Sequence, residues 1–371
     1  MKEKGAVLRA AGMMSGTSMD GVDLAIIDTD GIDLLGFGES RYRAYARDER
    51  ETLRAALGKW PGEVGVAEAA RVVEDAFLEL AAGVEPVDVL GFHGQTLAHD
   101  PAGRGTHQAG DGARIADALD VTTVWDFRAS DVALGGQGAP LAPFYHWAIA
   151  RWAELREPVG FLNLGGVGNL TWVDPGTAAP ERPGALFAFD TGPANAPLDD
   201  LMVARGLGTL DKGGALALRG KVEAGIVAEW LEAPFFAAPA PKSLDRTDFK
   251  GLASAVSPLS VEDALATLAA CAAASVAAGL DLLPAKPSCI YASGGGTKNA
   301  ALMRELRDRL ACPVQPVEAL GLEGDLIEAQ AFAYLAVRVL KGLPTSCPGT
   351  TGVAAAVGGG EITRVRDGGA A

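Results

Sequence analysis

With 371 residues, 49% of them apolar and 21% charged, the chain is too long for one ordinary core, and two domains of a globular protein are expected. Its net charge of −15 argues against nucleic acid as a general partner, because phosphate backbones need a basic surface. An anionic ligand must then be held by local dipoles, by a lysine or arginine, or by a metal.

The first stretch of interest is Ser15-Gly16-Thr17-Ser18-Met19-Asp20-Gly21-Val22-Asp23. Apolar runs flank it, so it reads as strand, tight turn, strand. Glycines let backbone N–H groups approach a phosphate, hydroxyls add hydrogen bonds, and aspartates can hold the metal that travels with a nucleotide. The competing reading is a polar hairpin tip. Val22 to Asp28 and Ile32 to Ala44 continue as strands. Asp48 to Leu57 and Gly65 to Ala82 have helical periodicity. Val87 to Phe92 reads as a short strand running into His93-Gly94-Gln95-Thr96, and a polar cluster at a strand end is where open α/β sheets place ligands. Thr106 to Asp111 reads as a strand and turn, Gly112 to Leu119 as a helix and Val121 to Trp125 as a strand. After Arg128, the glycine run Gly135 to Pro140 and a helix from Leu141 to Trp152 suggest a domain boundary.

The second half opens like the first, with strand Val159 to Leu164, glycine turn Gly165 to Asn169 and strand Leu170 to Val173. Ala185 to Phe189 is a strand ending in Asp190-Thr191-Gly192-Pro193-Ala194-Asn195, with a helix following to Ala204. Here Asp190 can be read as a helix N-cap or as a functional carboxylate. Lys212 to Trp230 reads as helix broken by glycines, and Ala233 to Pro241 as a loop over a cleft. Ala264 to Leu280, within a helix from Val261, falls short of a membrane span and reads as a buried helix. Ser288 to Ala292 is a strand entering Ser293-Gly294-Gly295-Gly296, followed by a helix from Ala300 to Leu310. That is either an ordinary turn or an anion site at a helix start. Asp325 to Leu340 reads as a strong helix, and the last thirty residues as an irregular tail. Cys271, Cys289, Cys312 and Cys347 have no paired spacing, as expected of reduced thiols in a cytoplasmic enzyme; neither a signal peptide nor a P-loop is read in the sequence.

Taken in order, the segments Ser15–Asp23 (SGTSMDGVD), His93–Thr96 (HGQT), Trp125–Leu141, Asn163–Thr171 (NLGGVGNLT), Phe189–Asn195 (FDTGPAN), Ser293–Asn299 (SGGGTKN) and Ile327–Ala336 resemble the anhydro-N-acetylmuramic acid kinase family, a branch of the actin-like sugar kinases. The likeness runs over almost the whole chain. Ala194 stands where the family usually has glycine, and Ser293 where it tends to have cysteine. Residues 242–250 depart from the usual KSTGRExFN but keep Lys242, Ser243 and Arg246.

The resemblance implies an α/β protein with two actin-like (ribonuclease H-like) domains around a central cleft. The division expected is residues 1–130 with about 341–371 in one domain and 131–340 in the other. It implies ATP-dependent opening of the 1,6-anhydro ring of 1,6-anhydro-N-acetylmuramic acid with phosphorylation at O6, a step in peptidoglycan recycling and amino-sugar catabolism. A base must activate water for attack at C1, and the family assigns it to the motif of Asp190; Glu328 is expected to assist. Expected ATP contacts are Gly16, Thr17, Ser18, Met19, Asp20, Gly21, Val22, Asp23, Gly165, Gly166, Asn169, Gly294, Gly295, Gly296 and Asn299, with Asp20 and Asp23 serving Mg2+. Expected sugar contacts are His93, Gln95, Thr96, Arg128, Thr191, Gly192, Asn195 and Lys242. No membrane partner is expected, and the family suggests a homodimer. The alternatives are a sugar or carboxylate kinase without ring opening, and a nucleotide-driven module like actin or the chaperone ATPases.

Overall fold

A computed structural model describes residues 5–244 and 249–365. In chain order the elements are β1 (Leu8–Ser15), β2 (Gly21–Thr29), β3 (Leu34–Ala44), α1 (Arg47–Ala55), α2 (Val66–Ala81), β4 (Val89–Asp100), β5 (Gly105–Ala109), α3 (Gly112–Leu119), β6 (Thr123–Trp125), α4 (Ala129–Ala133) and α5 (Pro143–Trp152). They continue as β7 (Val159–Leu164), β8 (Val167–Val173), β9 (Leu186–Pro193), α6 (Ala196–Ala204), α7 (Ala224–Leu231), α8 (Pro234–Ala237), α9 (Lys250–Val256) and α10 (Val261–Leu280). The last are β10 (Ile290–Ser293), α11 (Ala300–Arg309), β11 (Val314–Pro316), α12 (Ile327–Leu340), α13 (Pro348–Thr351) and β12 (Glu361–Thr363).

The chain groups into two compact units: residues 1–154, 177–183 and 326–371, and residues 155–176 with 184–325. Both are α/β with mixed sheets. In the first, strands run in the order β12-β6-β4-β1-β2-β3, with β5 on β4; in the second, β11-β10-β7-β8-β9. Each sheet is thus built on one plan. An antiparallel three-strand meander opens it, and the first strand then pairs in parallel with a later one, β1 with β4 and β7 with β10.

Alternation along β1 and β4 sets the layers of the first unit. Met13 and Phe92 join Val73 and Phe77 of α2 in one buried cluster. The intervening Gly12 and Gly91 face α12: a β-carbon at Gly12 would lie 1.8 Å from the Ala329 carbonyl oxygen, and one at Gly91 would lie 2.1 Å from that of Phe332. Only glycine lets the α12 backbone come this close. Tyr145 of α5 in turn donates to Gln330 of α12 at 3.0 Å. These contacts place α5 and α12 in the first unit, whereas the expected division at 130 and 340 assigns both to the second. In the second unit α10 is the central helix, sharing a cluster with Leu162, Leu170 and Phe189. By length and composition it could cross a membrane, contrary to the expectation that it falls short, yet 78% of its apolar window is buried.

Three further expectations change. β4 continues through His93–Thr96 instead of stopping before it, because β5 pairs with its second half. β9 likewise runs through Asp190–Pro193, paired with β8. The tail is not wholly irregular: α13 forms, and β12 pairs antiparallel with β6 as an edge strand.

Candidate active site

In the second unit, Asp190 sits on β9 opposite Asn169 on β8. Asn169 Nδ2 donates to Asp190 Oδ1 at 2.9 Å, and the Leu244 N–H donates to Oδ2 at 2.9 Å. The Asp190 N–H donates to the Lys242 carbonyl at 2.9 Å, so this carboxylate is held from two sides. Asp190 is not an N-cap: the residue before α6 is Asn195. Burial pushes the Asp190 pKa up, opposed by the bonds from Asn169 and Leu244. A carboxylate in this setting accepts a proton more readily than one in water, as a general base requires.

The bend between β7 and β8 is braced by the Asn195 N–H on the Gly165 carbonyl (2.8 Å) and the Ala194 N–H on that of Gly166 (3.1 Å). Gly165 is half-buried and Gly166 exposed. A β-carbon at either would meet no atom closer than 3.8 Å or 3.4 Å, and neither has a positive φ. Gly295 is alike, with nothing within 4 Å. Folding therefore does not demand glycine at these three places, whereas it does at Gly294 (φ +84) and at Gly296, where a β-carbon would lie 2.7 Å from Leu164 Cβ.

In the first unit, the bend after β1 is closed by the Met19 N–H on the Gly16 carbonyl at 3.1 Å, with Met19 itself at φ 53°. Thr17, Ser18 and Asp20 are exposed, Gly16 and Asp23 are half-buried, and Met19, Gly21 and Val22 are buried. Ser18 Oγ donates to Asp20 Oδ1 at 2.6 Å. Gly16 again has room, its β-carbon site lying 3.5 Å from the nearest atom, Ser18 Oγ. Under the bend, Ser15 Oγ donates to Gln95 Oε1 at 2.6 Å and lies 2.9 Å from the Tyr45 hydroxyl. Sequence reasoning missed Tyr45, which has no motif to mark it.

His93 and Arg128 form a second group in this unit. Arg128 Nε donates to His93 Nε2 at 3.1 Å, so the imidazole is neutral, with Nδ1–H directed at the Gly94 carbonyl 2.8 Å away. Burial and the Arg128 charge hold the His93 pKa well down. Arg128 Nη1 donates to the Gly138 carbonyl at 2.7 Å. Burial lowers its own pKa to about 10, with Glu328 and Asp131 pulling it back up. Glu328, at the start of α12, reaches solvent, but its crowded surroundings raise its pKa, and Arg128 opposes them. Asp131, also missed from sequence, is the anchor of this loop. Its Oδ1 accepts from the Gly138 N–H (2.6 Å), and its Oδ2 accepts from Ser346 Oγ (2.5 Å) and Thr351 Oγ1 (2.6 Å).

Several expected ligand contacts are buried or engaged otherwise. Gln95 is fully buried, its Oε1 accepting from Ser15 and its Nε2 donating to the Thr96 carbonyl at 3.2 Å. Thr96 Oγ1 accepts from Gln108 at 3.2 Å. Thr191 is 1% exposed and Gly192 is packed against Ser275. Asn195 donates to Asp199 at 2.8 Å. Asn299, 5% exposed, caps α11 by accepting from the N–H groups of Ala301 and Leu302. Lys242 Nζ donates to the Phe235 carbonyl at 2.7 Å, and burial lowers its pKa. Arg246 lies outside the described residues. Among the described residues no three His, Cys, Asp or Glu side chains converge on a metal position.

Both units thus carry an open glycine bend, and the second holds a half-buried carboxylate fixed at each oxygen. The family model described as anhydro-N-acetylmuramic acid kinase matches residues 8–364. Two relatives carrying that name, from Jannaschia sp. (where it is numbered 1) and Cereibacter sphaeroides, are each 60% identical, over 96% of this chain and 95% of the first relative, and over 97% of both chains for the second. A solved ROK family glucokinase from Streptomyces griseus, in complex with glucose and AMPPNP, is 14% identical over 88% of this chain and 99% of its own, with a TM-score of 0.44, too remote to assign anything. This chain belongs to the anhydro-N-acetylmuramic acid kinase family.

Proposed function

We propose that this enzyme uses ATP and water to convert 1,6-anhydro-N-acetylmuramic acid to N-acetylmuramic acid 6-phosphate and ADP. Asp190 takes a proton from water as the water oxygen bonds to C1. The C1–O6 bond breaks with its electron pair left on O6. O6 then bonds to the γ-phosphorus, and the pair of the breaking P–O bond leaves with ADP. Because phosphorus captures the leaving oxygen, a second carboxylate acting as general acid is not obligatory, unlike ordinary glycoside hydrolysis. The observation that carries this reading is the Asp190 carboxylate, buried enough to raise its pKa and fixed through both oxygens.

The Ser15–Asp23 bend, Gly165, Gly166 and Gly295 would receive phosphate oxygens and the nucleotide through backbone N–H groups, since their β-carbon space is open. Magnesium suits this donor set: it binds through one or two carboxylates and substrate phosphates and keeps its own waters. Ser18, Asp20 and Asp23 offer the hard oxygens, and the ion would neutralise charge on the transferring group. Arg128, backed by His93 and Gly138, would meet the carboxylate of the sugar's lactyl group, with Glu328 beside it.

Asp190→Asn is expected to fold with an unchanged melting temperature and to lose ~10²–10⁴ in kcat. In the wild-type enzyme activity should fall with acid, as the base protonates, at a pH above the ordinary aspartate value of about 3.9. Oxygen-18 water should label C1 of the product. Label absent from C1, with phosphorylation intact, would instead indicate a kinase acting on an ordinary hydroxyl.

A further inference from the structure

The ladder between β8 and β9 is not regular. Val167 pairs with Pro193 and Gly168 with Gly192, but Asn169 then pairs with Asp190. Two residues of β9, Asp190 and Thr191, thus answer to one step of β8, and Thr191 is the extra residue of a β-bulge. In an unbroken ladder Asn169 would face Thr191. Because directly opposed residues point to the same face of a sheet, the bulge is what brings the Asn169 amide beside the Asp190 carboxylate. Bulges re-aim side chains in this way beside active sites.

The bulge is held by its surroundings. Thr191 is 1% exposed and its Oγ1 lies 2.6 Å from where a β-carbon of Gly168 would stand. Gly192 follows at φ +151, its missing β-carbon leaving room for Ser275 of α10. Asn169 itself stands four residues after Gly165, on the strand that leaves the glycine bend.

We infer that Asn169 is a positioning residue for Asp190: its Nδ2–H fixes Oδ1, and so fixes which lone pairs of the carboxylate remain for the water proton. This rests on Asp190 being the base. It differs from the expected contact of Asn169 with nucleotide, because its amide N–H is directed at Asp190. The other bond to the Asp190 carboxylate, from Leu244, is made by a backbone N–H. No charge is among the causes acting on the Asp190 pKa, which are burial, Asn169 and Leu244. Lys242, on the segment that touches Asp190, directs its ammonium to the Phe235 carbonyl.

Asn169→Leu and Asn169→Asp separate the possibilities, with melting curves confirming the fold and Asp190→Asn run in parallel. The leucine variant should lower kcat about tenfold to a hundredfold, with KM for ATP within twofold of wild type, because an unfixed carboxylate loses alignment but not ligand. The aspartate variant sets two carboxylates together, and the acid limb of its kcat profile should move up by about one pH unit or more. A KM for ATP raised tenfold with an unmoved acid limb would make Asn169 a nucleotide ligand and overturn the inference. Wild-type kinetics in both variants would also overturn it while Asp190→Asn is inactive; an active Asp190→Asn would instead remove the base assignment on which it depends.

Discussion

Single residues in this protein divide by whether the fold itself requires them. Gly21 and Gly16 stand five apart in one bend, yet a β-carbon at Gly21 would lie 2.4 Å from the Arg43 carbonyl oxygen, while one at Gly16 has clear space. Gly16→Ala should therefore leave thermal stability within about 0.5 kcal/mol of wild type, or raise it through the unfolded chain, while weakening ATP. A KM for ATP raised about tenfold with an unchanged melting temperature is the expected result. Gly21→Ala should lower the melting temperature as well. At this scale the motif singles out Asp190, a carboxylate that the fold holds through both oxygens, but says nothing of what the amides do. Gln95 and Asn299 lie in motifs full of ligand-type groups, and nothing local tells that Gln95 is occupied by Ser15, or Asn299 by the start of α11. Asp131 was invisible for a plainer reason: two of its three side-chain partners, Ser346 and Thr351, are more than 200 positions away.

Among elements, the loop after α4 and the tail segment carrying α13 are joined through that same Asp131. It is 1% exposed and accepts three hydrogen bonds through its side chain. Asp131→Ala strands two hydroxyls and one amide, so a loss of about 3 kcal/mol is expected, seen as an early thermal transition. Ser346→Ala leaves the other two bonds and should cost about 1 kcal/mol. Equal losses in the two variants would show that the carboxylate is not the anchor. The order and type of most strands were legible in the apolar runs, because period and turn residues agree. Their ends were not. Polar residues of His93–Thr96 and Asp190–Asn195 look like loop, but β5 and β8 supply ladder partners that keep most of them in strands. The three residues of β12 form a strand only because β6 lies beside them.

At the scale of the molecule, Arg338 ties together distant parts of the first unit. Its guanidinium, 1% exposed, donates to the carbonyls of Gly31 (2.8 Å) and Pro344 (2.6 Å) and to Glu181 (2.7 Å), and lies 5.1 Å from the Phe144 ring. Glu181→Ala leaves a buried cation short of its counter-ion and should cost about 3 kcal/mol in denaturant unfolding. An unfolding midpoint equal to that of wild type would show that the two carbonyls and the Tyr334 hydroxyl satisfy Arg338 without Glu181. The two-unit plan was legible in the paired glycine hairpins, but its boundaries were not, since they depend on which sheet α12 covers. That placement has a consequence for synthesis. The strands β1 and β4 emerge from the ribosome early, while the helix that seals one face of them follows more than 200 residues later. The interposed segment 155–325, apart from 177–183, makes a sheet of its own and can compact while the opening sheet waits half-clothed. A truncation just before residue 327 would therefore leave a chain with one finished unit and one whose sheet has a single face uncovered, which is the form that a chaperone or protease would meet.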